Sequence, residues 1–128
     1  MEPPLVQILI ILHEFFRCHR LGEVVTDRTI TSLSHRVDMQ AWHDYKSRLL
    51  TLGLIRVVEK GGLVLSKDLN DVTLWSLYRD LPWPLPAGFT VAGEAWEKQV
   101  NEKLTKSFEE RRVMFELDLE QLYRGEKS

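Results

Sequence analysis

The chain has little cysteine and histidine, and the arrangements in which these residues bind metals or form bridges are missing. Its 128 residues include one cysteine and four histidines. A single thiol has no partner for an internal disulfide, and no secretory signal opens the chain, which favours a reducing cytosolic setting. The closest group of potential ligands is His13, Glu14, Cys18 and His19. It lacks the spacing of a zinc site, because Arg17 stands where His-Glu-x-x-His requires its second histidine.

Catalytic and phosphate-binding motifs are missing as well. The sequence has no Gly-rich phosphate loop, no Gly-x-Ser-x-Gly elbow and no carboxylate pair with a reason to be buried together. Asp68, Asn70 and Asp71 resemble the start of a calcium loop, but Arg79 occupies the twelfth position, where a glutamate ligand is needed. We therefore expect no catalytic residues, no metal, no cofactor and no enzymatic activity in this chain.

Neither an excess of one charge nor a long apolar run is present. The formal net charge of −2 gives no overall attraction to nucleic acid or anionic lipid. The apolar run at residues 5–12 is far shorter than the about 20 residues of a membrane-spanning helix. We expect this run to form a helix at the centre of a single core, with a membrane-surface or partner contact as the alternative.

The order of the predicted elements is the most informative feature that is present. A first helix is expected at residues 3–22, a second after a cap at residues 26–27, and a third from the cap Asp38 to Gly53. The third helix has a predicted buried stripe: Trp42, Tyr45, Leu49 and Leu52. The pair Gly61-Gly62 then predicts a tight hairpin between residues 54–60 and 63–66. A short apolar helix, capped by Asn70 or Asp71, ends at three prolines in residues 82–86.

This order predicts a winged-helix-like domain at residues 1–86, followed by a linker and a long C-terminal amphipathic helix at residues 87–128. The fold class is mainly α with a small β-hairpin, an α+β class containing a helix-turn-helix. The tail helix has an apolar stripe with steps of three, four or seven: Trp96, Val100, Leu104, Phe108, Phe115, Leu119 and Leu122. It either packs on the domain or pairs with a second copy as a short coiled coil, and its last four residues are expected to fray.

Two sets of residues are candidate binding surfaces. A nucleic-acid surface would use side chains of the third helix and the hairpin that can meet bases or phosphates: Arg36, Gln40, His43, Lys46, Arg56 and Lys60. Asp44 and Glu59 lie among them, so DNA binding is the alternative interpretation. A protein-interaction surface would use aromatic side chains beside the prolines together with the tail stripe: Trp75, Tyr78, Trp83, Val100, Leu104 and Phe108. The aromatic residues form either a groove or a segment that covers the core.

Several strings of the chain resemble one family. The most specific is Ser66-Lys-Asp-Leu-Asn-Asp-Val-Thr-Leu-Trp-Ser-Leu-Tyr78, followed by Leu-Pro-Trp-Pro-Leu-Pro86. With the helix end Leu-Leu-Thr-Leu-Gly-Leu54 and the hairpin Val-Val-Glu-Lys-Gly-Gly-Leu-Val-Leu65, it makes residues 5–86 similar to the cytoplasmic tail of YihY/BrkB inner-membrane proteins. The tail helix lies outside this resemblance.

The resemblance implies a soluble C-terminal portion of a larger bacterial protein, located at the cytoplasmic face of the inner membrane just after the last membrane helix. It implies a regulatory or protein-docking role, with another protein or the protein's own membrane-spanning portion as partner. The family's old name, ribonuclease BN, implies RNA processing. That role is the least favoured, because the chain lacks the metal-binding carboxylates or paired histidines that phosphodiester cleavage requires.

Overall fold

The computed structural model describes residues 1–125 and divides into two compact units, Met1–Pro84 and a second that begins at Leu85. About half of the described residues are helical, and these residues also form one two-stranded antiparallel sheet in the first unit and a long helix in the second. The predicted α+β class and the long C-terminal helix are therefore confirmed. Of the four residues expected to fray, the last three lie outside the described residues.

Helix α1 spans Pro4–Arg20 and forms the centre of the first unit's core. Its proline is in the first turn, where the missing amide donor costs nothing, and Gly22 follows its end with φ +69°. Most residues of the apolar run at 5–12 are buried, as expected for a helix that is apolar on every face. The bounds and the burial predicted for this helix are confirmed.

The predicted helix pair is α2, Asp27–Thr31, and α3, Trp42–Thr51. Thr26 caps α2 as predicted, but α3 begins four residues after Asp38. The Asp38 carboxylate accepts a hydrogen bond from the Gln40 amide two residues on, which holds a turn in place of a helical start. Of the predicted stripe, Tyr45 and Leu49 are buried, whereas Trp42 and Leu52, the residue that follows α3, are half-buried.

Strands β1, Ile55–Val57, and β2, Leu63–Leu65, pair antiparallel, with Ile55 opposite Leu65. Gly61 and Gly62, with φ +81° and +88°, lie in the connection, so the hairpin is confirmed with shorter strands than predicted. Val25 forms a bridge to Leu63, exchanging two backbone hydrogen bonds of 2.8 Å. This contact ties the segment before α2 to β2, and the sequence did not indicate it.

The apolar helix after the hairpin is α4, Leu74–Arg79. Its cap is Thr73, whose side chain forms a reciprocal capping box with Ser76, so the predicted cap at Asn70 or Asp71 is wrong. Those two residues belong to a separate 3₁₀ turn, Leu69–Asp71, and the extended backbone of Val72 separates that turn from α4.

In the second unit, helix α5 spans Ala95–Met114 and helix α6 spans Leu119–Tyr123. The predicted apolar stripe therefore does not run along one helix. The Asp118 side chain accepts a hydrogen bond from the Gln121 amide and so begins a new helix. Near the start of α5, the Asn101 side-chain oxygen accepts a hydrogen bond of 2.8 Å from the Phe89 amide, which fixes the linker to the helix.

Candidate functional site

A buried glutamine holds the start of α3 against α1. Gln7 is 3% exposed. Its Oε1 accepts hydrogen bonds from the Asp38 amide at 2.8 Å and from the Tyr45 hydroxyl at 3.1 Å, and its Nε2 donates to the Glu2 carbonyl at 2.7 Å. Burial, and then the nearby Asp38 and Asp44 carboxylates, raise the pKa of Tyr45. The signal for this network was in the sequence: Gln7 is the one polar residue in the apolar run at residues 5–12.

Trp83 belongs to this packed region. Its ring meets the Tyr45 ring edge to face, with centroids 5.4 Å apart and planes at 89°. The Arg48 guanidinium lies 5.3 Å from the Trp83 ring, and the Asp44 carboxylate accepts a hydrogen bond of 3.0 Å from the same guanidinium. Trp83 thus fastens the proline-rich segment to α3. Its surroundings are those of a residue that covers the core.

The other two aromatic candidates form an exposed pair on α4. Trp75 is 64% exposed and its ring centroid lies 5.6 Å from that of Tyr78, which is half-buried. Leu77 and Leu81 are buried and anchor α4 and the turn that follows it. The helix therefore buries Leu77 and presents the large aromatic side chain of Trp75 to solvent, and its start is held by the capping box.

The residues predicted to bind nucleic acid do not form a strongly positive surface. Arg36 is half-buried, and its guanidinium lies 3.7 Å from the Glu2 carboxylate. Gln40, His43, Arg56 and Lys60 are exposed. Lys46 is half-buried beside a small depression lined by Thr26, Asp27 and Val57, among others. Lys46 and Lys60 have carboxylates near them in the chain or in this depression: Asp27, Asp44 and Glu59.

The three tail candidates differ in accessibility. Val100 is half-buried and Leu104 is 3% exposed, whereas Phe108 is 44% exposed. Of the three, Phe108 offers the most surface for a contact. Across residues 1–125, no three His, Cys, Asp or Glu side chains are grouped so that they could hold a metal ion.

Comparison with known proteins finds relatives of this chain among bacterial membrane proteins. No family model matches the chain, and no solved structure matches it. A UPF0761 membrane protein of Psychrobacter sp. (strain PRwf-1) is 34% identical over 83 residues, which are 65% of this chain and 15% of that protein. A UPF0761 membrane protein of Alcanivorax borkumensis is 23% identical over 125 residues, 94% of this chain and 29% of the relative. A third, from Acinetobacter baylyi, is 31% identical over 83 residues, 65% of this chain and 20% of the relative.

The chain thus spans less than a third of the length of these curated relatives. A match to so small a part of each relative is consistent with a C-terminal domain. Among the helices of the described residues, none combines the length and the apolar character needed to cross a membrane. The resemblance noted in the sequence is confirmed, and the chain corresponds to a region of the UPF0761 membrane proteins, the YihY/BrkB family.

Proposed function

We propose that this chain is a non-catalytic, winged-helix-like docking module at the cytoplasmic face of a YihY/BrkB-type inner-membrane protein. It binds a protein partner, or the membrane-spanning portion of its own protein, through Trp75 and Tyr78 on α4. The order of α1, the Val25 bridge, α2, α3 and the β1–β2 hairpin supports the winged-helix interpretation. The relatives' description as membrane proteins supports the tethered setting.

The exposure of Trp75 is the observation that carries the proposal. Tryptophan is enriched among the residues that dominate binding energy, because it brings a large apolar area with few rotatable bonds. Here the Tyr78 ring stands beside it, and the Thr73–Ser76 capping box fixes the short helix. A rigid aromatic pair of this kind loses little conformational entropy on binding.

A photo-crosslinking amino acid in place of Arg79, which is exposed four residues after Trp75 on α4, tests the proposal in cells that produce the protein with any membrane-spanning portion it carries. The matched control places the same amino acid at Leu21, an exposed apolar side chain that follows α1. We expect one defined crosslinked product from position 79 and none from position 21. The partner identified in that product, once purified alone, should bind the chain less tightly after Trp75→Ala. Equal labelling from both positions, or unchanged affinity of the variant, would refute the proposal.

DNA binding is the alternative function, because α3 presents exposed His43 next to Lys46 as a recognition helix would, and the hairpin carries Arg56 and Lys60 as a wing would. Few cations and several neighbouring carboxylates disfavour it. Fluorescence anisotropy of the chain with mixed duplex DNA and with structured RNA, at low and moderate salt, separates the functions. Salt-sensitive binding that Lys46→Glu abolishes would support the alternative, and binding to RNA alone would support the least favoured role.

A further inference from the structure

The end of the second unit exposes a concentration of large apolar side chains. Beyond Ser107, every described residue is exposed except Leu117, which is half-buried. The exposed stretch contains seven large apolar residues between 44% and 80% exposed: Phe108, Val113, Met114, Phe115, Leu119, Leu122 and Tyr123. Isolated apolar side chains at a surface are ordinary, but seven of them within sixteen consecutive residues are typical of an interaction site. We call residues 108–123 the terminal apolar segment.

The terminal apolar segment continues the buried stripe of α5. Leu104 and Phe108 are four residues apart on one side of α5, and Phe115 comes seven residues after Phe108, directly after the end of the helix. Leu104 is buried, whereas Phe108 and Phe115 are exposed. On α6, Leu119 and Leu122 are three residues apart and share a face. The chain thus presents an apolar face in the pattern by which helices pack against other helices, without a cover for it in the described residues.

We propose that a second copy of this chain covers the terminal apolar segment in a twofold symmetric dimer. The size of the surface fits this occupant. With on the order of 160 Å² for a large apolar side chain and the exposed fractions above, the seven residues offer at most roughly 700 Å² per chain, which is comparable with the about 800 Å² that each partner contributes to a standard interface. A twofold contact uses the same patch on both copies, so each apolar side chain has an apolar counterpart.

The charges of the segment favour a second copy over a membrane or a nucleic acid. Residues 108–124 carry five acidic and three basic side chains and no lysine, whereas surface-bound membrane helices are rich in Lys and Arg. Arg112 pairs with Glu109 and Glu116, and Arg124 pairs with Glu120. Two of the three arginines of this stretch, Arg112 and Arg124, are therefore paired with carboxylates close to them in the chain, which leaves the apolar side chains for packing.

The charges also suggest the orientation of the dimer. Lys103 and Lys106 are exposed on α5 just before the terminal apolar segment, and Asp118 and Glu120 lie at the start of α6. An antiparallel contact brings the lysines of one copy toward the acidic residues of the other, whereas a parallel contact sets like charges side by side. We therefore assign the antiparallel arrangement. This proposal does not depend on docking through Trp75.

Sedimentation velocity of the 128-residue chain over a concentration series tests the dimer. The decisive variant is Phe115→Glu, because the wild-type side chain is 70% exposed, so its replacement should leave the fold of one copy intact. We expect a reversible dimer for the wild type and an at least about 100-fold weaker dimer for the variant, because the contact would bury an unpaired carboxylate. The control, Leu21→Glu, places the same charge at an exposed apolar site outside the segment and should dimerise like the wild type.

A wild type that stays monomeric up to roughly 0.5 mM, or a Phe115→Glu variant that dimerises like the control, would overturn the proposal. Circular dichroism of each variant checks the fold, and Leu122→Glu repeats the test on α6. Flotation with vesicles of phosphatidylcholine and phosphatidylglycerol tests the other occupant. Vesicle binding by a monomeric wild type that Phe115→Glu abolishes would assign the segment to a lipid surface and would also overturn the dimer.

Discussion

Replacing the buried Gln7 with methionine should destabilise the chain far more than a substitution at an exposed position would. Methionine fills the space of glutamine and keeps the apolar contacts of α1, but it cannot accept hydrogen bonds from the Asp38 amide and the Tyr45 hydroxyl. A buried donor left without an acceptor costs about 1–3 kcal/mol, so two donors in this partly buried place cost roughly 2–4 kcal/mol together. Against a stability of about 5–15 kcal/mol this is a large fraction, and it lowers Tm by roughly 10 °C.

Urea unfolding followed by tryptophan fluorescence measures the effect, with Gln99→Met as the control on the exposed surface of α5. The control should change the free energy of unfolding by less than about 0.5 kcal/mol. Tyr45→Phe removes one of the two stranded donors, so in the Gln7→Met background it should cost less than in the wild type, with a coupling of roughly 1 kcal/mol. If Gln7→Met stays within about 0.5 kcal/mol of the wild type, or the two changes are additive, the network does not hold α3 as argued.

Three further outcomes are expected. Trp83→Ala should lower the free energy of unfolding by roughly 2–3 kcal/mol and Trp75→Ala by less than about 0.5 kcal/mol. The reason is that the Trp83 ring is packed and the Trp75 ring is exposed. Equal losses for the two variants in urea unfolding would contradict this. Gly62→Ala should lower the free energy of unfolding by more than about 1 kcal/mol, because the glycine has φ +88° and a Cβ would lie 3.0 Å from Cγ2 of Val24. An unchanged Tm in thermal unfolding would show that alanine is not strained at this position. Since the pKa of Tyr45 is raised in the folded chain, the unfolded chain loses that proton first, so stability should fall as the pH rises past about 10. The fall should be shallower in Tyr45→Phe, and an identical pH dependence in both proteins would contradict it.

The sequence determined those elements whose ends are set by local backbone chemistry. Pro4 begins α1 and Gly22 follows its end because one lacks an amide donor and the other adopts positive φ freely. Gly61 and Gly62 mark the hairpin because both adopt positive φ in its turn. The apolar run at residues 5–12 predicted a central helix, because a segment without a polar face must be buried. The strings before Pro86 identified the family, which the relatives then confirmed.

Caps were the least predictable local feature, because several polar residues near a helix start compete for the same role. Asp38 precedes α3 and Asn70 precedes α4, yet neither caps the helix it precedes. Asp38 bonds to a nearer amide, and the extended Val72 leaves Thr73 as the residue next to the helix. Each residue type was compatible with both outcomes, so the path of the chain between elements decided which one formed.

Only the tertiary structure separated side chains that look alike in the sequence. Trp75 and Trp83 lie in the same short segment, but Trp83 packs on Tyr45 under Arg48, whereas Trp75 faces solvent. Leu104 and Phe108 belong to one helical stripe, and burial along α5 ends between them. Helical periodicity specifies which residues share a face but not how far along that face a neighbour extends. Burial depends on contacts between residues distant in the sequence, so accessibility to a partner was decided by the fold.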